Sequence, residues 1–181
     1  VTAKYGWMNS DYDLRDSAGQ KVTADSDSNV FSLSLEVGRR YHFDRLEKQG
    51  LYIEPQAQVT MAHFGGDRFT ASNGLYTKVD AFRSTLARVG AHLGYEVKEG
   101  RSPVDVYLKG YFMKEFDGTI DYSFNNGAKR TTSYEDTWFV YGVGATAKLG
   151  ERHDLYVDFE RSEGGRMEQE WALSGGYRYS W

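Results

Sequence analysis

Apolar and polar residues alternate one by one along most of this 181-residue chain. A period of two belongs to a β-strand with one oily and one polar face, and it excludes an amphipathic helix over the same stretch. The cleanest case is residues 51–62, where Leu51, Ile53, Pro55, Ala57, Val59 and Met61 alternate with Tyr52, Glu54, Gln56, Gln58 and Thr60. Val106, Leu108, Gly110, Phe112 and Phe116 alternate likewise with Asp105, Tyr107, Lys109, Tyr111 and Glu115. Only Lys114 interrupts that apolar row, near a strand end where its stem can snorkel. Residues 87–97, 137–148 and 173–181 repeat the pattern, and shorter versions over 1–8, 31–43 and 155–160 bring the expected number of strands to eight.

The connections alternate in length. Residues 16–29, 65–78 and 117–133 read as long polar loops rich in Gly, Asn, Asp and Ser, whereas 44–50, 98–102 and 150–153 read as short turns. Long loops on one side and tight turns on the other are the pattern of an outer-membrane barrel, with the short turns in the periplasm. The polar rows carry Gly, Gln, Glu, Lys and Arg, which suits a wet lumen. The aromatics Tyr5, Trp7, Tyr41, Phe43, Tyr52, Phe64, Tyr95, Phe112, Phe116, Phe139, Tyr177, Tyr179 and Trp181 sit near row ends, as interfacial girdles do. The expected fold is therefore all-β, an antiparallel transmembrane barrel in one domain. A soluble β-sandwich or lipocalin-like barrel is the rival, because alternation alone does not say which face is inside.

Composition narrows the function. A net charge of −4 argues against a nucleic-acid partner, which would want a basic field. The absence of cysteine removes disulfides, cysteine zinc sites and thiol nucleophiles, and it suits an oxidising compartment. No apolar run approaches the roughly 20 residues of a membrane helix, which leaves strand-built membrane proteins untouched. The first residues, Val1-Thr2-Ala3-Lys4-Tyr5, lack the apolar segment of a secretory leader, so a mature chain or a fragment is expected.

Four stretches carry a family resemblance: Leu35-Glu36-Val37-Gly38-Arg39-Arg40-Tyr41; Leu51-Tyr52-Ile53-Glu54-Pro55-Gln56-Ala57-Gln58-Val59; Arg88-Val89-Gly90-Ala91-His92-Leu93-Gly94-Tyr95; and Tyr141-Gly142-Val143-Gly144-Ala145-Thr146-Ala147-Lys148-Leu149-Gly150 with Leu155-Tyr156-Val157-Asp158. With the ending Gly176-Tyr177-Arg178-Tyr179-Ser180-Trp181, the chain resembles the C-terminal translocator (β) domain of autotransporters, the type V secreted proteins of Gram-negative bacteria. The resemblance implies a barrel of twelve strands, preceded by a helix that threads the pore and leads to a passenger. The eight strands here match the last eight, with the helix, the first four strands and the passenger outside this sequence. It also implies a place in the cell outer membrane. The implied partners are outer-membrane lipid and lipopolysaccharide, the β-barrel assembly machine, periplasmic chaperones and the protein's own passenger. The rival function is that of a complete eight-stranded barrel acting as an adhesin through its loops.

Four groups of residues follow. Gly176, Tyr177, Tyr179 and Trp181 form the terminal strand that the resemblance makes an assembly signal, since an unpaired strand offers its backbone to another sheet edge while its aromatics fill apolar recesses. Lys4, Glu36, Glu54, Gln56, Gln58, Arg88, His92, Lys109, Glu115, Lys148, Asp158, Glu160 and Arg178 form the lumen-facing polar row, which either serves a threading segment or braces the wall by mutual salt bridges. Gly6, Gly38, Gly90, Gly94, Gly142, Gly144 and Gly176 on the same face leave room for a chain or permit sheet curvature. Tyr5, Trp7, Tyr41, Phe43, Tyr95 and Phe139 are the expected interfacial anchors. Some members of the family release their passenger with carboxylates inside the barrel. Glu54 and Glu115 face inward here, but without the linker the sequence does not assign them that role. His42, His63, His92 and His153 have no metal-site spacing, no phosphate loop is found, and Asp25-Ser26-Asp27-Ser28 is weak as a calcium loop. No catalytic residue, metal or cofactor is expected.

Overall fold

The computed structural model describes residues 1–15, 17–43, 50–98, 102–125, 127–150, 152–166 and 169–180. Among them there is no helix. The strands are β1 (Thr2–Arg15), β2 (Lys21–Gly38), β3 (Tyr41–His42), β4 (Gly50–Phe64), β5 (Asp67–Thr70), β6 (Tyr76–Val79), β7 (Phe82–Val97), β8 (Val104–Glu115), β9 (Thr119–Phe124), β10 (Ala128–Ser133), β11 (Asp136–Leu149), β12 (His153–Glu163) and β13 (Gln169–Tyr179). The main sheet runs in the order β1-β2-β4-β7-β8-β11-β12-β13, with β3 paired to β4, so that β1 and β13 end the path. Its eight long strands correspond to the eight expected from the alternation.

The strands are longer than the hydrophobic alternation suggests. Residues 16–29 are mostly strand: β2 starts at Lys21, and Arg15 pairs with Lys21 at the head of a hairpin that runs back to Thr2 opposite Ser34. Asp25-Ser26-Asp27-Ser28 is thus extended backbone facing Asp11, Ser10, Asn9 and Met8, not a loop. The two other expected loops hold hairpins. β5–β6 and β9–β10 join through β6–β9 into a second sheet, ordered β10-β9-β6-β5. Where both faces of a strand are wet, apolar–polar alternation disappears while the ladder persists, and this is why the reading stopped short. Conversely, the strand expected over 31–43 is interrupted after Gly38 and resumes as β3.

Exposure along the main strands is inverted relative to a soluble sheet. Leu51, Ile53, Val59 and Met61 of β4 are exposed, as are Val106, Leu108 and Phe112 of β8, whereas Tyr52 is fully buried and Lys109 keeps only 11% of its side-chain surface. The apolar row therefore faces outward and the polar row inward, which rules out the soluble sandwich. Tyr5, Trp7, Tyr41, Phe43, Tyr95 and Phe139 all lie on the exposed side. Tyr52 does not: it turns into the polar row.

The chain forms two compact units. Residues 1–35, 59–86 and 115–135 make the first. Its small core is Val22, Ala24 and Ala71, with Phe69 packed against them. Ser72 N donates to Thr23 O at 2.8 Å, and Thr23 N donates to Ser72 Oγ at 3.0 Å, which ties the end of β5 to β2. Residues 36–58, 87–114 and 136–181 make the second. There, inward glycines receive tyrosine rings: a methyl on Gly94 would overlap the ring of Tyr52, and one on Gly144 the ring of Tyr107. The room beside these glycines is taken by rings of neighbouring strands. In the full-length protein, Gly94→Ala should lower stability by about 1–3 kcal/mol through overpacking. Gly6→Ala, whose methyl would meet only Val30 at 3.5 Å, should be near neutral. The temperature at which the folded form loses its altered electrophoretic mobility measures both.

Candidate functional site

The inward polar row of the second unit gathers around two cations. Arg40 lies in the break between β2 and β3. Its Nε donates to Glu54 Oε2 at 2.7 Å, and its Nη1 lies 3.0 Å from Asp105 Oδ2 and 3.3 Å from Glu96 Oε2. The guanidinium also stacks 3.8 Å above the ring of Tyr52, whose hydroxyl donates to Asp105 Oδ1 at 2.7 Å. His42 Nε2 meets Glu96 Oε2 at 2.8 Å, and Gln56 Nε2 donates to Glu54 Oε1 at 2.8 Å. One planar fork thus holds three carboxylates contributed by β4, β7 and β8, which a flexible ammonium could not orient in the same way.

The second centre is Lys109 of β8. Its Nζ donates to Asp158 Oδ1 at 2.8 Å and to Glu160 Oε2 at 2.9 Å, and Tyr107 donates its hydroxyl proton to the same Asp158 oxygen at 2.9 Å. The His92 ring stacks on Tyr107 at 4.5 Å. Tyr111 donates to Gln56 Oε1 at 2.6 Å and lies 2.6 Å from His92 Nε2. Because the phenol has a single proton, this arrangement makes His92 Nε2–H the donor to the Tyr111 oxygen. Arg88 covers Tyr111 at 4.5 Å and donates to Glu36 Oε2 at 3.2 Å, while its Nε is buried without a hydrogen-bond partner among the described residues. Glu36, Arg88, His92, Lys109, Asp158 and Glu160 share the wall of one cleft of about 370 Å³.

Of the polar residues expected inside, Glu36, Glu54, Gln56, Arg88, His92, Lys109, Asp158 and Glu160 belong to these two clusters, and Gln58 continues their row along β4. Arg178 binds Asp154 Oδ2 through Nη2 at 2.7 Å and Nε at 3.0 Å, and Lys148 stands opposite Asp154 across β11–β12. Lys4 and Glu115 lie in the first unit. Lys4 is exposed opposite Ser32, and Glu115 accepts from Ser84 Oγ and Thr85 N, each at 2.7 Å, so it is not grouped with Glu54. In the terminal strand, Gly176 faces Tyr156, and the Tyr177 hydroxyl meets His153 Nδ1 at 2.5 Å. The Tyr179 ring packs against His153 at a tilt, with centroids 5.2 Å apart, and Trp181 lies outside the described residues. Arg40, His42, Tyr52, Glu96, Asp105, Tyr107 and Tyr111 were missed as site residues. All but the residues flanking the β2 break share the parity of neighbours that were named, and parity was the signal that could have found them.

Comparison with known proteins decides the family. Residues 1–160 match the family model of the autotransporter beta-domain. The chain belongs to that family. This autotransporter β-domain is 33% identical over 169 residues to the probable autotransporter YcgV of Escherichia coli (strain K12), covering 93% of the chain and 17% of the relative. It is 32% identical over 183 residues to the pertactin autotransporter of Bordetella parapertussis, covering all of the chain and 19% of the relative. The crystal structure of the beta domain of the Bordetella autotransporter BrkA matches with a TM-score of 0.78 at 32% identity, over 99% of this chain and 65% of that one. The chain thus spans under a fifth of the length of YcgV and of the pertactin autotransporter, and its fold is that of the solved β-domain.

The network predicts unequal costs of substitution in the full-length protein. Arg40→Ala strands three carboxylates of low exposure and should cost about 3 kcal/mol, as breaking a buried pair does. Arg178→Ala, at an exposed pair, should cost less than about 1 kcal/mol. Unfolding in detergent, followed by tryptophan fluorescence against guanidinium, checks the ratio.

Proposed function

We propose that this chain is the membrane-embedded translocator segment of an autotransporter, anchored in the outer membrane of a Gram-negative bacterium. The observation that carries the reading is the inversion of exposure, oily side chains outward and ion pairs inward, in a chain of this family. The dimensions support it. The outward apolar row of β4 spans residues 51–61, about 35 Å at ~3.3 Å per residue, and a tilt of about 45° brings that to the ~25 Å apolar band of an outer-membrane wall. The short connections then belong to the periplasm, and the β5–β6 and β9–β10 hairpins to the outside.

The polar face serves as a braced, hydrated seat for the segment that leads to a passenger. Coverage of 65% of the solved β-domain is close to the eight strands in twelve that the family likeness implies, which supports reading these strands as part of a larger wall. The strands that complete it, the linker helix and the passenger are then supplied by the rest of the protein. β13, the last strand of the sheet path and bearer of the outward Tyr177 and Tyr179, is the strand offered to the assembly machine, and Trp181 completes its aromatic series. No catalytic step falls to this chain.

Two measurements on the full-length protein test the proposal. Trp181→Ser should lower the outer-membrane level several-fold in cells with limiting assembly machine, and an unchanged level would overturn the signal role. Cysteines placed at Lys4 and Arg178 should fail to crosslink within one chain. A crosslink would mean that the eight strands close on themselves, and would favour the small adhesin-type barrel.

A further inference from the structure

The outward side of the β1–β2 hairpin changes chemistry at a single rung. The pairs Ala3–Leu33 and Tyr5–Phe31 are apolar, Trp7 faces Asn29, and the next outward pairs are Asn9–Asp27 and Asp11–Asp25. At that rung lies an open pocket of about 600 Å³, lined by Trp7, Asn9, Asp27, Ser28, Asn29 and Gly66. The indole is 77% exposed, and the Tyr5 ring packs against it edge-on, with centroids 4.8 Å apart and planes at 89°. The main chain of Asn29 is tied across the sheet, where Gly65 N donates to its backbone O at 2.8 Å, and its side-chain Oδ1 occupies the space that a side chain on Gly65 would need. Asn29 Nδ2 reaches the Tyr5 hydroxyl at 3.4 Å. Among the described residues, Asn9 and Asp27 have no side-chain hydrogen bond or ion pair.

A free indole face bordered by two carboxamides and one carboxylate is suited to a sugar ring. The C–H face of a pyranose lies against the aromatic surface, and neighbouring hydroxyls donate to a carboxylate or amide oxygen and accept from an amide N–H. No Lys or Arg lines the pocket, so phosphate has no counter-charge there, and the single carboxylate is a poor cage for a cation. We propose that this pocket holds an uncharged sugar ring of the lipopolysaccharide headgroup. The headgroup is favoured over a soluble glycan because the pocket sits where the outward row passes from apolar to polar, which is the edge of the hydrocarbon. That placement rests on the outer-membrane reading above.

The test titrates lipid-free core oligosaccharide, released from lipopolysaccharide by mild acid, into the full-length protein in detergent, followed by saturation-transfer NMR and calorimetry. Saturable binding is expected. Trp7→Ala should weaken it at least tenfold and Asn29→Ala at least threefold, Trp7→Phe should keep part of the affinity, and Trp171→Ala, at another exposed indole on β13, should leave it unchanged. Failure of the wild type to saturate, or an equal loss in Trp171→Ala, would overturn the site and leave Trp7 as a lipid anchor. Equal binding of maltoheptaose would overturn the headgroup assignment. Fractionation of the wild type away from the outer membrane would overturn the functional reading instead, and the detergent titration does not depend on it.

Discussion

Peptide groups at the level of hydrocarbon have no water to bond, so every N–H and C=O must find a partner in the chain itself. The antiparallel path from β1 to β13 meets this demand laterally, strand by strand, and most other features follow from it. Once the backbone is closed sideways, side chains have only two directions. The apolar ones turn to lipid, where they need no partner, and the polar ones turn inward and must satisfy one another.

A wall of this kind has no oily interior to hold it together. Cohesion on the inward side comes from charge and rings: one guanidinium fixes Glu54, Glu96 and Asp105 while resting on Tyr52, and one ammonium fixes Asp158 and Glu160 beside Tyr107. Such pairs give modest net stability, since desolvation offsets much of the attraction, but they are demanding about geometry. The outcome is a polar surface whose charged groups are held by one another. Its hydrogen-bonding capacity is largely committed within the wall, so a segment lying against it would exchange bonds with groups already in place.

What the sequence discloses follows the same division. Where one face meets lipid, period two was legible, and the apolar rows of β4 and β8 lie on the exposed side. Beyond the hydrocarbon the contrast between faces is lost. The upper β1–β2 hairpin and the strands β5, β6, β9 and β10 therefore read as loops, and their turns carry a positive φ at Gly19, Gly74 and Asn125. The site was half legible. Single residues of the polar row could be named, but the convergence of Arg40 on three strands depends on the break after Gly38 and on register, neither of which alternation encodes. Tyr52 was obscured because an aromatic in a barrel invites an interfacial reading, and Tyr107 and Tyr111 stood in the polar row without a role, whereas here all three rings fill the space above glycines or lie under cations.

Those ring-and-glycine contacts bear on how neighbouring strands choose their alignment. Alternation penalises a slip by one residue, which would send every oily side chain inward, but it is blind to a slip by two, which restores the parity of both faces. Tyr52 over Gly94, Tyr107 over Gly144 and Tyr156 opposite Gly176 are not blind to it. Two residues along from Gly94 stand His92 and Glu96, and two along from Gly144 stand Gly142 and Thr146, so a ring displaced by one repeat meets a side chain at three of those four sites. Spaced across three strand pairs, the contacts act as a vernier that separates the native alignment from the errors that hydrophobicity alone would accept.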